Sequence, residues 1–91
     1  MKLEQLEVLM AGYFNEDFND LWGTLDLFIS HASDEERRRL LTEIDHVLQT
    51  VRDDRELDQF LENLGSYAYL GEDPAAYRAW LEEIARRVAA A

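Results

Sequence analysis

Ninety-one residues, no cysteine, 47% apolar side chains and a net charge of −11 describe one small globular domain over residues 1–91, because that apolar content offsets chain entropy despite the charge. The missing thiols exclude a disulfide framework and a cysteine nucleophile, and the acidic excess excludes direct nucleic-acid binding, which needs basic patches to displace counterions. No apolar run approaches the ~18 residues a membrane span takes, and Met1-Lys2-Leu3-Glu4 lacks the pattern of a secretion signal, so the expected location is cytoplasmic.

Leu3, Leu6, Leu9, Met10, Tyr13 and Phe14 recur at helical spacing with Lys2, Glu4 and Glu7 off the stripe, which predicts a first helix ending near Phe14. Asn15 to Asn19 read as a polar connection. Leu21, Trp22, Leu25, Phe28 and Ile29 form the next apolar set; with Gly23 as an interruption, the second helix is expected from about Thr24 to Ser30. Ser33-Asp34-Glu35-Glu36 is a capping box, in which the Ser33 hydroxyl accepts from the third helical amide and Glu36 reaches back to Ser33. Leu40, Leu41, Ile44, Val47, Leu48 and Val51 carry the third helix to Thr50 or Val51. Asp53 or Asp54 starts a fourth, with Leu57, Phe60, Leu61 and Leu64 inward and Gly65 at its C-terminal cap.

The longest irregular segment runs from Gly65 to Asp73 and bears Tyr67 and Tyr69. Asp73-Pro74 then reads as an N-cap followed by proline at the first helical position, where the missing amide hydrogen costs nothing. Tyr77, Trp80, Leu81, Ile84 and Val88 share one face of the last helix. No segment alternates with period two, so the expected fold is all-α, a single compact domain of about five short helices. Tyr13, Trp22, Tyr77 and Trp80 fall on apolar stripes and are expected in the core. Arg78, beside that stripe, is expected to bridge an internal carboxylate and hold the last helix against the first segment.

The acid is unevenly placed. Residues 1–30 carry one Lys against six acids and residues 53–73 one Arg against seven, whereas the rest of the chain is almost balanced. Such blocks favour a basic protein partner, with association sped by long-range attraction. Catalysis is not expected. His31 and His46 belong to no triad or metal pattern, and adjacent acids such as Glu16-Asp17 or Glu82-Glu83 point to different sides of a helix. No calcium loop or phosphate loop occurs, and no cofactor or metal is implied.

Two segments carry a family likeness. Gly12-Tyr13-Phe14-Asn15-Glu16-Asp17-Phe18 sets aromatic residues around an acidic turn. Gly65-Ser66-Tyr67-Ala68-Tyr69, Pro74 and Arg78-Ala79-Trp80-Leu81 form an aromatic loop feeding a capped helix. In order and spacing they resemble the small helical immunity proteins of contact-dependent growth inhibition systems, in the group with a Gly-Tyr-Phe-x-x-Asp-Phe/Trp start and an Arg-x-Trp-Leu end. The family often has His or Gln where this chain has Asn15 and Glu16.

The resemblance implies a monomer that binds the toxic C-terminal domain of a cognate effector in a one-to-one complex, without activity of its own. Many of those toxins are nucleases, whose basic clefts suit acids that imitate phosphates. The acids expected to make contact are Asp17, Asp20, Asp53, Asp54, Asp58, Glu72 and Asp73, with Tyr67 and Tyr69 as aromatic anchors. Asp73, and one of Asp53 and Asp54, are also expected as N-caps. An acidic nucleic-acid mimic, or an adaptor of another basic host protein, is the alternative from composition. A self-pairing helical subunit fits the short, capped helices less well.

Overall fold

A computed structural model describes residues 2–15 and 20–91. The helices are α1 (Glu4–Glu7), which runs on as a π-helix (Val8–Tyr13), then α2 (Leu21–His31), α3 (Asp34–Thr50), α4 (Asp54–Asn63) and α5 (Ala75–Ala90). No strand occurs among the described residues. The fold is therefore all-α, as the helical spacing of the apolar residues predicts. Its radius of gyration is 12.0 Å, close to the roughly 12 Å of a compact folded chain this long.

α3 and α5 form the spine. Leu40, Ile44 and Val47 of α3 and Trp80, Leu81 and Ile84 of α5 are buried in one cluster, which Leu6, Leu9, Met10 and Phe14 complete from the N-terminal helix. Deleting one of these side chains, as in Leu81→Ala, would cost about 2–5 kcal/mol through lost transfer energy and the cavity left behind. Trp80 also meets Phe14 edge-on, with ring centroids 5.0 Å apart, so the aromatic residues of the two distant sequence segments share one contact. Tyr77 is buried in the same core, whereas Tyr13 and Trp22 pack partly buried against it.

Most helix boundaries follow local signals. Ser33 and Glu36 close the capping box in both directions, and those bonds to Ser33 hold the Glu36 carboxyl below its ordinary pKa. Asp53 caps α4, accepting from the Arg55 and Glu56 N–H groups. Gly65 follows α4 with φ of 112°, and its missing side chain matters twice. A Cβ there would need a left-handed backbone and would lie 2.9 Å from the Ala11 Cβ.

α2 begins earlier than the sequence predicts, at Leu21 rather than Thr24. Gly23 does not break it. The Asp20 carboxylate folds over the first turn to accept the Trp22 N–H at 3.1 Å, and a Cβ on residue 23 would lie 2.8 Å from the Asp20 Oδ2. The glycine thus leaves room for the cap. α5 begins at Ala75, one residue later than Pro74, yet Asp73 still serves its start by accepting the Ala75 N–H at 3.0 Å.

α1 has no cap of its own. Its start is closed from α3 instead, where the buried Glu43 accepts the Leu6 N–H at 2.9 Å. Burial pushes this carboxyl above its ordinary pKa, against the pull of the Leu6 and Gln5 amides.

Candidate functional site

Arg78 fixes the frame of the site. Its guanidinium donates to Asp54 at 2.7 Å, to the Leu48 carbonyl at 3.3 Å and to the Val51 carbonyl. Those carbonyls end α3 and Asp54 begins α4, so one side chain of α5 joins three helices. The expected internal carboxylate is present, but the expected direction is corrected: Arg78 ties α5 to the α3–α4 corner, not to the first segment. The α3 carbonyls have no further helical amide to accept, which makes a cation there doubly favourable.

The first segment reaches the loop by another route. Tyr67 N–H donates to the Phe14 carbonyl at 2.8 Å, and the Asn15 amide donates to the Gly65 carbonyl at 2.7 Å. Burial then alternates residue by residue. Ser66 and Ala68 turn inward at 5% and 8% exposure, while Tyr67 and Tyr69 stand out at 71% and 73%. Two large aromatic side chains two residues apart are thus held in water on one loop, which makes them an exposed patch rather than part of the core.

Between α4 and this loop lies a groove of about 540 Å³. Its base is apolar and hydroxylic, made by the buried Leu61, Ser66, Ala68 and Tyr77. Tyr67 and Tyr69 flank it, and the acids Asp58, Glu62 and Glu72 line it. Asp58 and Glu62 stand four residues apart, one above the other on α4. Among the described residues none of these three carboxylates takes part in an ion pair or hydrogen bond, and no Lys or Arg lines the groove. At the start of α3, by contrast, Arg37 pairs with Asp34, and Arg39 with Glu35 at 2.9 Å.

The nine residues expected to meet a partner thus divide. Asp58, Tyr67, Tyr69 and Glu72 come together at the groove. Asp20 and Asp53 cap helices, Asp73 accepts the Ala75 N–H one residue ahead of the Pro74 cap of α5, and Asp54 is held by Arg78, so all four carry structural work. Asp17 lies outside the described residues, as do Glu16 and Phe18 of the same motif. Glu62 is a member the sequence reading missed, although its i, i+4 spacing from Asp58 marks it.

No three His, Cys, Asp or Glu side chains among the described residues stand close enough to hold a metal ion. His31 sits in the last turn of α2 against the Tyr13 hydroxyl, with Nδ1 3.2 Å from it. No helix of the described residues is long and apolar enough to cross a membrane.

A family model described as CdiI immunity protein matches residues 2–88. The chain belongs to that family. No curated protein and no solved structure matches it. The match spans both sequence segments that carry the likeness, and the geometry gives those segments a shared task. Phe14, Asn15, Gly65, Tyr67 and Trp80 meet at one joint, and that joint presents the aromatic loop.

Proposed function

We propose that this chain is an immunity protein acting in the cytoplasm as a monomer. It binds the C-terminal toxin domain of a cognate contact-dependent growth inhibition effector one-to-one and neutralises it without chemistry of its own. Family membership supports the toxin as target. The observation that carries the binding mode is the groove, where three acids have no cation among the described residues and two tyrosines are held in solvent.

Unanswered carboxylates on a chain of net charge −11 attract a basic surface from a distance and lose their hydration cheaply only against cations. A nuclease cleft, lined with the cations that hold phosphates, supplies that surface. Tyr67 and Tyr69 add the rigid aromatic area on which interface energy concentrates. The other acids expected to meet a partner, Asp17, Asp20, Asp53, Asp54 and Asp73, add to the overall negative charge that a basic surface would meet.

The test is protection of cells that express the toxin domain encoded beside this gene, together with affinity for that purified domain. Tyr67→Ala with Tyr69→Ala should weaken binding by about 2 kcal/mol or more, roughly thirtyfold, and remove protection. Folding stability should stay within about 0.5 kcal/mol, as for exposed substitutions generally. A chain that fails to protect, or that itself turns over nucleic acid, overturns the reading.

A further inference from the structure

We infer that the groove between α4 and the Gly65–Glu72 loop is an arginine-binding cleft that grips one arginine residue of the partner by both its side chain and its backbone carbonyl. The inference deepens the reading above and rests on it for the partner, but the geometry speaks to the chemistry of the occupant by itself.

The groove combines two kinds of polar group. Its sides offer only acceptors, the carboxylates of Asp58, Glu62 and Glu72. Its base offers hydroxyls, those of Ser66 and Tyr77, which are 5% and 6% exposed. Each of these hydroxyl oxygens already accepts one backbone N–H, from Ala68 at 3.2 Å and from Leu70 at 3.3 Å. Each therefore keeps its own hydrogen to donate, and none of the described residues receives it. A buried donor in a groove calls for an acceptor, and acids along the sides call for a cation. A bare metal ion or a free amine satisfies only the sides. A peptide unit bearing a cationic side chain satisfies both, with its carbonyl on the base and its charge on the carboxylates.

The two tyrosines select among cations. A guanidinium is planar, stacks on an aromatic face and makes paired hydrogen bonds to a carboxylate; an ammonium does neither as well. The same pairing already occurs inside this protein, where the Arg87 guanidinium lies 4.1 Å from the centre of the Trp22 ring while pairing with Glu83 at 2.8 Å. At about 540 Å³ the groove falls in the roughly 300–1,000 Å³ range of sites that enclose a small ligand.

The experiment titrates the intact protein with the capped tripeptide acetyl-Gly-Arg-Gly-amide and follows the backbone amide signals by nuclear magnetic resonance. Matched peptides with lysine and with citrulline, the neutral analogue of arginine, serve as comparisons. The arginine peptide should give saturable shifts confined to residues 58–72, with an affinity at least threefold above that of the lysine peptide. The citrulline peptide should not saturate. Glu72→Gln should weaken binding severalfold from the side of the groove and Ser66→Ala from its base; Tyr69→Ala should bring arginine and lysine to equal affinity while the fold stays intact. Equal shifts with arginine and lysine in the unaltered protein would overturn the inference. So would shifts spread over Glu4, Glu7 and Asp26, or no saturation at tens of millimolar peptide. No toxin enters this experiment. Failure here with protection intact removes the cleft alone; a cleft that binds arginine in a chain that does not protect removes the toxin as target alone.

Discussion

Acids are used in two opposite ways at the two ends of this molecule. Around the α2–α3 corner and the end of α5, three acids are answered within four residues: Asp34 by Arg37, Glu35 by Arg39, and Glu83 by both Arg86 and Arg87. Arg37 also donates to the Ile29 and Ala32 carbonyls at 3.2 and 3.1 Å, closing the end of α2. Around α4 and its loop, none of the described residues forms an ion pair with Asp58, Glu62 or Glu72, and Asp54 draws its cation from 24 residues away. The first arrangement stabilises helix ends and has nothing left to offer a partner. The second leaves attraction unspent, on a frame rigid enough to aim it. Net charge alone does not distinguish them; pairing does.

The sharpest break in this contrast is Arg78→Ala. It strands the Leu48 and Val51 carbonyls and Asp54 together, and leaving hydrogen bonds to a charged group unmade should cost about 2–3 kcal/mol in urea denaturation. Arg37→Ala removes the analogous contacts at the other corner. Because Asp34 there is largely in water, with 84% of its side chain exposed, the loss should be smaller, about 1 kcal/mol. Equal losses would mean that the two corners are built alike.

Gly65→Ala strikes the junction between the paired frame and the unpaired groove. A left-handed backbone combined with a 2.9 Å approach to Ala11 should cost about 1–3 kcal/mol of stability. A fully stable variant would show that the loop can move aside from the first segment without loss.

Neutralising charge compares the two ends directly. Asp58→Asn with Glu72→Gln should slow association with the toxin domain about tenfold at low salt and flatten the salt dependence, since screening acts over about 8 Å at physiological ionic strength. Stability should change by less than about 0.5 kcal/mol. Asp34→Asn with Glu35→Gln changes net charge equally but should barely touch the association rate. Similar rates for the two variants would make the whole acidic surface, rather than the groove, responsible.

The smallest expected effect concerns pH. Arg86 and Arg87 hold the Glu83 carboxyl down at about 2, against an ordinary 4.5. Its stabilising contribution is therefore present above pH 4.5 and lost as pH falls toward 2. Glu43 runs the other way. Burial raises its pKa above 4.5, so its contribution is complete below that pH and is lost as pH rises through its folded value. Thermal melts of Glu83→Gln should show a flatter acid limb, and those of Glu43→Gln a flatter decline above pH 4.5. A Glu43→Gln profile parallel to that of the unaltered protein would remove the buried carboxylate from the account.

The helices were legible wherever their signals were local. Ser33 with Glu36, Asp53 and Gly65 are motifs confined to a few neighbouring residues, and each sits where its spacing placed it. Tertiary signals were harder. Gly23 reads as a breaker only until the Asp20 carboxylate is seen to need its empty side. Glu43 shares the stripe of Leu40, Ile44 and Val47, yet a charged residue there looks like an interruption unless the uncapped start of α1 is brought against it. Arg78 was legible as structural, but its partners were not, because nothing in sequence links α5 to the end of α3. At the groove, Asp58, Tyr67, Tyr69 and Glu72 were chosen by charge and aromatic character. Asp73 and one of Asp53 and Asp54 also read as helix starts; what the sequence does not reveal is that Asp20 caps α2 and that Asp54 is held by Arg78.

The alternation along the loop separates two kinds of heritable change. Ser66 and Ala68 face the interior and, with the Tyr67 N–H fastened to Phe14, set the course of the chain. Tyr67 and Tyr69 project from that course without supporting it. On the binding mode proposed above, replacements at the two outward positions alter which partner is held while leaving folding almost untouched, whereas replacements at the inward ones disturb folding before they reach recognition. A lineage under pressure to follow a changing adversary can therefore explore new specificities at positions 67 and 69 one mutation at a time, with every intermediate still able to fold.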